Sequence, residues 1–125
     1  MGTIIRYHTD LEAYQIAFDA AMQIFDLTKS FPKEETYSLV DQIRRSSRSV
    51  CANLSEAWRR RRYPAAFKNS LNLAEAEAAE TQVWISFGKE CAYITDFQTD
   101  SLLKSYDHVL GIIVKMITHS DKWVL

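Results

Sequence analysis

The sequence predicts an all-α fold, an antiparallel up-down-up-down four-helix bundle. Three observations carry this. Only three glycines and two prolines occur in 125 residues, too few for the many turns of a sandwich or barrel. Apolar residues recur at spacings of three and four along most of the chain. Turn-forming residues fall where they divide it into four segments of helical length. The expected helices cover residues 10–30, 34–61, 64–93 and 96–120 of a single domain, 1–125.

Each segment has its own signature. In the first, Leu11, Tyr14, Phe18, Ala21 and Phe25 repeat as an apolar face, Thr9 with Glu12 fits a capping box, and Pro32 follows Phe31 as a stop. In the second, Val40, Ile43, Ser47, Val50, Leu54 and Ala57 keep the rhythm without glycine or proline. Pro64 suits the first turn of the third helix, where its missing N–H costs nothing. There Phe67, Leu71, Ala74, Ala78, Ile85 and Ala92 form a heptad-like stripe, with Thr81 and Gly88 between them. A second stripe, Leu73, Ala76, Val83, Trp84, Phe87 and Cys91, makes the apolar arc wider than one core requires. Trp84 and Phe87 are therefore candidate subunit-interface residues, with a generous core as the alternative. Thr95 and Gln98 fit a capping box ahead of Leu103, Tyr106, Leu110, Ile113 and Ile117 on the fourth helix.

The net charge of −1 gives no global attraction to nucleic acid or anionic membrane, but the charge is segregated. Between Arg44 and Lys68 lie eight cationic side chains against Glu56 alone, a net +7, which leaves −8 to the rest. Cys51 and Cys91 stand apart with no CxxC pair, and the first residues lack the charged and apolar regions of a secretory leader. No apolar run approaches the ~20 residues of a membrane span. A cytoplasmic, reduced setting is expected.

Catalysis finds little support. HExxH and ExxH elements are absent, so the sequence mark of a di-metal bundle site is missing and no metal or other cofactor is expected. With three glycines there is no phosphate-cradling loop. Glu77 and Glu80 read as a solvated or interfacial face, and Cys51 as a structural core thiol. A non-enzymatic role is expected.

The arginines carry the functional signal. With Arg44 at zero and about 100° per residue, Arg48 falls at about 40°, Arg59 at about 60° and Arg62 back at about 0°. Arg45 follows at about 100° and Arg60 at about 160°, while the second helix's core set lies between about 220° and 320°. If the helix persists, Arg44 and Arg62 are ~27 Å apart on one stripe, long enough to meet several phosphates. Arg61 would point coreward unless the helix has ended, and Trp58 sits at the core edge. The candidate nucleic-acid contacts are Arg44, Arg45, Arg48, Arg59, Arg60, Arg62 and Lys68. The alternative is structural: arginines near a helix end interact with its dipole, Glu56 can pair with Arg60, and Glu75, Glu77 and Glu80 could neutralise the stripe.

Ordered pieces of the chain resemble a known family. They are Leu11-Glu12-Ala13-Tyr14-Gln15, Leu27-Thr28, Phe31-Pro32, Glu35, Tyr37 and Leu39, then Gln42-Ile43-Arg44-Arg45 and Asn53-Leu54-Ser55-Glu56. The arginine run, Phe67, Leu71, Ala74, Glu80 and Ala92-Tyr93-Ile94 follow. Together they resemble the four-helix-bundle proteins encoded in intervening sequences of bacterial 23S ribosomal RNA genes, also found as free-standing bacterial genes. The resemblance implies a left-handed antiparallel bundle, a ring-like homo-oligomer (commonly a pentamer), no catalytic activity and an association with RNA. Ala57 stands where the family usually has glycine, which suggests a more continuous second helix, and the arginine run is longer than the family's. The expected function is RNA binding by an oligomeric bundle. The alternative is a scaffold or adaptor whose arginines contact subunits or a protein partner.

Overall fold

The computed structural model describes residues 4–125. Four α-helices, α1 (Glu12–Thr28), α2 (Leu39–Arg59), α3 (Pro64–Glu90) and α4 (Asp96–Thr118), form an antiparallel bundle. Short 3-10 turns at His8–Asp10, Lys33–Glu35 and Ser120–Lys122 complete the regular structure, and no strand occurs among the described residues. Each helix packs on two neighbours in the cyclic order α1, α2, α3, α4. Among the described residues, no helix is long and apolar enough to cross a membrane.

The core follows the expected stripe on α2 and that on α3 except for Ala92, which is exposed beyond the helix end. Val40, Ile43, Ser47, Val50, Leu54 and Ala57 are buried, as are Phe67, Leu71, Ala74, Ala78, Thr81, Ile85 and Gly88. Ala57 lies within an unbroken α2, in keeping with the continuity expected of an alanine there. Leu11 of the expected first face is buried just before α1, but within the helix the buried line is Ala13, Ala17, Ala20, Ile24 and Thr28, while Phe18 is 50% exposed. Two interleaved lines on α1 share the helical period, and the small-residue line faces inward because alanine lets neighbouring backbones approach closely. On α4 the buried line is Thr99, Leu102, Tyr106, Val109, Ile113 and Met116, with Leu103, Leu110 and Ile117 at its flank. The Tyr106 hydroxyl is buried without a hydrogen-bond partner among the described residues, and burial, followed by the Cys51 thiol, pushes its pKa far above the ordinary phenol value.

Tertiary contacts move several helix ends from their expected places. The Thr9–Glu12 capping box does not form. Instead, the Asp10 carboxylate accepts from the amides of Arg6 at 2.9 Å and Tyr7 at 3.0 Å, closing a 3-10 turn before α1. α2 begins at Leu39 rather than residue 34, because Glu35 is pinned: it accepts from the Ser38 hydroxyl at 2.6 Å and the Tyr93 hydroxyl at 2.9 Å. α3 stops at Glu90 rather than 93. Ala92 adopts a left-handed φ of 61°, and the amide of Tyr93 reaches back to the Gly88 carbonyl at 2.9 Å, a Schellman ending with alanine where glycine is usual. The start of α4 is as expected: Thr95 and Gln98 form the full capping box.

Candidate nucleic-acid interface

α2 ends at Arg59, and Arg60 has already left helical geometry (φ −100°, ψ 12°). The expected ~27 Å stripe through Arg62 is therefore replaced by two groups. The reason lies in the Arg run itself: the Arg61 guanidinium lies over the Trp58 ring, 3.4 Å from its centroid, and its Nε donates to the Trp58 carbonyl at 2.8 Å. Trp58 is buried, so Arg61 caps a core aromatic and one of the end carbonyls of α2. Burial, and then the adjacent Arg59 charge, draw the Arg61 pKa down.

The first group sits on the upper half of α2, along an open groove of about 530 Å³ bordered by Arg44, Arg45 and Arg48. Arg44 is held to the end of α1, where its Nε donates to Thr28 Oγ1 at 2.8 Å and its Nη2 to the Phe25 carbonyl at 3.4 Å. Its guanidinium also lies 4.7 Å from the Phe25 ring centroid, and that of Arg48 5.9 Å. Arg45 is neutralised across the bundle by Glu80 at 2.7 Å and Glu77 at 3.6 Å. The Trp84 indole donates to the same Glu80 oxygen at 3.2 Å. Below, buried hydroxyls continue this α2–α3 contact, with Thr81 donating to Ser46 at 2.8 Å.

The second group occupies the turn from α2 to α3. Arg60 is partly committed, donating to Ser70 Oγ at 3.0 Å and lying 3.8 Å from Glu56. Arg59, Arg62 and Lys68 are exposed and, among the described residues, have no carboxylate at ion-pair distance. The α3 N-terminus opens beside them. Tyr63 gives it no side-chain cap, and the amides of Ala65 and Ala66 have no acceptor among the described residues. Free amides at the positive end of a helix of 27 residues favour an anion.

The exposed line of α2 reads Asp41, Arg45, Arg48, Ala52, Glu56, Arg59, so one carboxylate precedes the first group and one separates the two groups. Both acids lie among the arginines on the same helical wheel, at about 60° for Asp41 and 120° for Glu56. That much was readable from the sequence alone. The contribution of the other helices was not. Antiparallel packing brings the ends of α2 and α4 together with the starts of α1 and α3, so Lys115 and Lys122 join the arginine turn at one end of the bundle. The amide of Leu125 donates to the Arg61 carbonyl at 3.0 Å, tying the segment after α4 to that turn.

Trp84 and Phe87 lie 5.9 Å apart on the outer side of α3. Trp84 is half-buried and Phe87 is 54% exposed. Phe87 continues an outward line through Val83 (50% exposed), Ala76 and Leu73 (46%). Glu75, the third acid suggested as a neutralising partner, forms no ion pair among the described residues. No group of three His, Cys, Asp or Glu among the described residues could hold a metal.

Fold and surface together define an antiparallel four-helix bundle with cationic side chains gathered at one end. The chain belongs to the family described as 23S rRNA-intervening sequence protein, which it matches over residues 9–115. It is similar to a crystal structure of a protein of unknown function from the S23 ribosomal protein family of Bacteroides thetaiotaomicron VPI-5482. The two share 29% identity with a TM-score of 0.76, over 85% of this chain and 95% of that one. No curated protein matches the chain.

Proposed function

We propose that this protein is a non-enzymatic, cytoplasmic RNA-binding bundle that meets RNA chiefly through Arg59, Arg62 and Lys68, with Arg44 and Arg48 as a second contact. The single observation behind this reading is the set of exposed cations that, among the described residues, have no carboxylate at ion-pair distance, beside the uncapped start of α3. Phosphate neutralisation by such groups releases counterions and is largely independent of base sequence. The family's description, which refers to 23S rRNA, points the same way. Arg45 and Arg60 contribute less, because Glu80, Glu77 and Glu56 already compensate them. A catalytic role for Cys51 is disfavoured by burial, which pushes its thiol up to about 11 and leaves it protonated at neutral pH. The test is the affinity of the purified protein for a structured RNA across increasing salt. A steep linear fall of log affinity with log salt is expected, and a salt-independent affinity would rule the reading out.

The outward line of Leu73, Ala76, Val83 and Phe87 supports a second element, self-association into a homo-oligomer, for which a pentameric ring is the favoured form. A ring would repeat the basic end and multiply weak phosphate contacts through effective concentration. Val83→Asp with Phe87→Asp should dissociate the assembly in size-exclusion chromatography with light scattering. An unchanged mass would reject this face as the interface. If RNA binding fails while the arginines prove necessary for assembly, the scaffold reading takes its place.

A further inference from the structure

Away from α2, a groove of about 490 Å³ lies between the start of α1 and the last turns of α4. Its walls include Ile112, Met116 and Trp123, with Lys115 and Lys122 supplying positive charge. Neither lysine has a carboxylate at ion-pair distance among the described residues. The acid in the groove, Glu12, faces His108, whose Nε2 lies 3.3 Å from its Oε1. Trp123 is half-buried against the core, and its indole N–H donates to no group among the described residues.

Gly111 lines the groove without a side chain to fill it. It lies inside α4, where glycine costs about 1 kcal/mol of helix stability relative to alanine. Packing does not require it, since a Cβ built there would meet nothing within 4 Å. The missing side chain leaves open space in the wall that Gly111 shares with Ile112, Lys115 and Met116.

We propose that this groove is a nucleotide-binding site, distinct from the arginine contacts and not dependent on them. The base lies against the Trp123 indole and the aliphatic wall of Ile112 and Met116, and the phosphate is met by Lys115 and Lys122. The groove's size falls within the range of small-molecule pockets, and its combination of apolar wall and cationic side chains suits a planar base carrying an anion. The occupant is a free nucleotide or one nucleotide of an RNA strand. The second source is within reach: Trp123 is two residues from Leu125, whose amide bonds the Arg61 carbonyl, so its backbone lies within about 10 Å of the arginine turn.

The test is a fluorescence titration of the full chain with AMP, with Trp123→Phe identifying the responding indole. Saturable quenching that disappears in Trp123→Phe is expected. Gly111→Leu, which fills the groove while favouring the helix, and Lys115→Glu with Lys122→Glu should each weaken it about tenfold or more. Arg59→Ala with Arg62→Ala should leave it unchanged. Displacement of AMP by a short single-stranded RNA assigns the groove to the strand, and failure to displace assigns it to the free nucleotide. Absence of Trp123-dependent quenching, or quenching that Gly111→Leu does not weaken, overturns the proposal. A chain that takes AMP but no RNA defeats the RNA reading and leaves the groove standing. One that takes RNA but no AMP defeats the groove alone.

Discussion

The two cationic groups are both arginine-rich but sit in different physical situations. Around Arg44 and Arg45, the guanidiniums close internal contacts: one holds the end of α1, and the other bridges to Glu77 and Glu80 on α3. Around Arg59 and Arg62, α2 ends, Glu56 lies 3.8 Å from Arg60, and the two side chains are exposed without a carboxylate at ion-pair distance among the described residues. Charge density alone therefore does not define a binding surface. In the proposed RNA-binding reading, available charge does, and availability depends on what the neighbouring helix presents. The same contrast holds for the two ends of the bundle. The basic end gathers Arg59 to Arg62, Lys68, Lys115 and Lys122, whereas Glu34, Glu35, Glu90, Asp96 and Asp100 lie toward the other.

The comparison can be broken at its internal half first. Arg44→Ala removes the bond to the buried Thr28 hydroxyl and the contact with Phe25, and should cost about 1–2 kcal/mol in urea unfolding. A loss below the error of the fit would mean that Arg44 is not structural.

Removing the acids sharpens the contrast from the other side. Glu77→Gln with Glu80→Gln frees Arg45, and RNA affinity should rise several-fold, with the salt slope steeper by roughly 1. Filter binding at several salt concentrations would show this, and unchanged affinity would place Arg45 outside the RNA path.

A smaller effect tests the scaffold rather than the charges. Ala92→Gly relieves the left-handed φ at the end of α3 and should stabilise the fold by about 0.5–1 kcal/mol, without altering RNA binding. A lower Tm would contradict that account of the α3 ending.

The smallest expected effect is a pH dependence at the acidic end. Bonds from Ser38 and then Tyr93 hold Glu35 below its usual carboxylate value, so its contribution is present above that value and fades as pH falls through the lowered pKa. Tyr93 is pushed up to about 12, chiefly by its bond to Glu35 and then by burial. Its contribution is present below about 10, the ordinary phenol value, and is lost as pH rises toward 12. Thermal melts across pH should therefore show a plateau at neutral pH with a fall on either side. Cys51 and Tyr106, whose pKa values burial also raises, share the alkaline fall. Tyr93→Phe should reduce it, and an unchanged alkaline fall would assign it to those buried groups alone.

Much of this fold was legible in the sequence. The scarcity of glycine and proline and the apolar stripes of α2 and α3 define the bundle and much of its core. Thr95 and Pro64 mark two helix starts correctly. α1 was misread because two apolar lines share one period, and periodicity cannot choose between Phe18 and Ala17. The helix ends of α2 were illegible for a different reason: distant partners set them, Tyr93 at one end and the packing of Arg61 on Trp58 at the other. For the site, the sequence identified the cationic residues but not their partners. The pairing of Arg45 depends on which way Glu77 and Glu80 face, and the arrival of Lys115 and Lys122 depends on the topology.

The most direct test of the central claim compares RNA affinity and its salt slope in two variants with wild type. One removes the unpaired cations, Arg59→Ala, Arg62→Ala and Lys68→Ala; the other removes the paired ones, Arg45→Ala and Arg60→Ala. The first should lose roughly 2 units of slope and more than tenfold in affinity, with its Tm unchanged. The second should lose stability of about 1 kcal/mol and little affinity. Wild-type affinity in the first variant, or an equal loss in both, would contradict the claim that availability of charge, rather than its density, makes the RNA-binding surface.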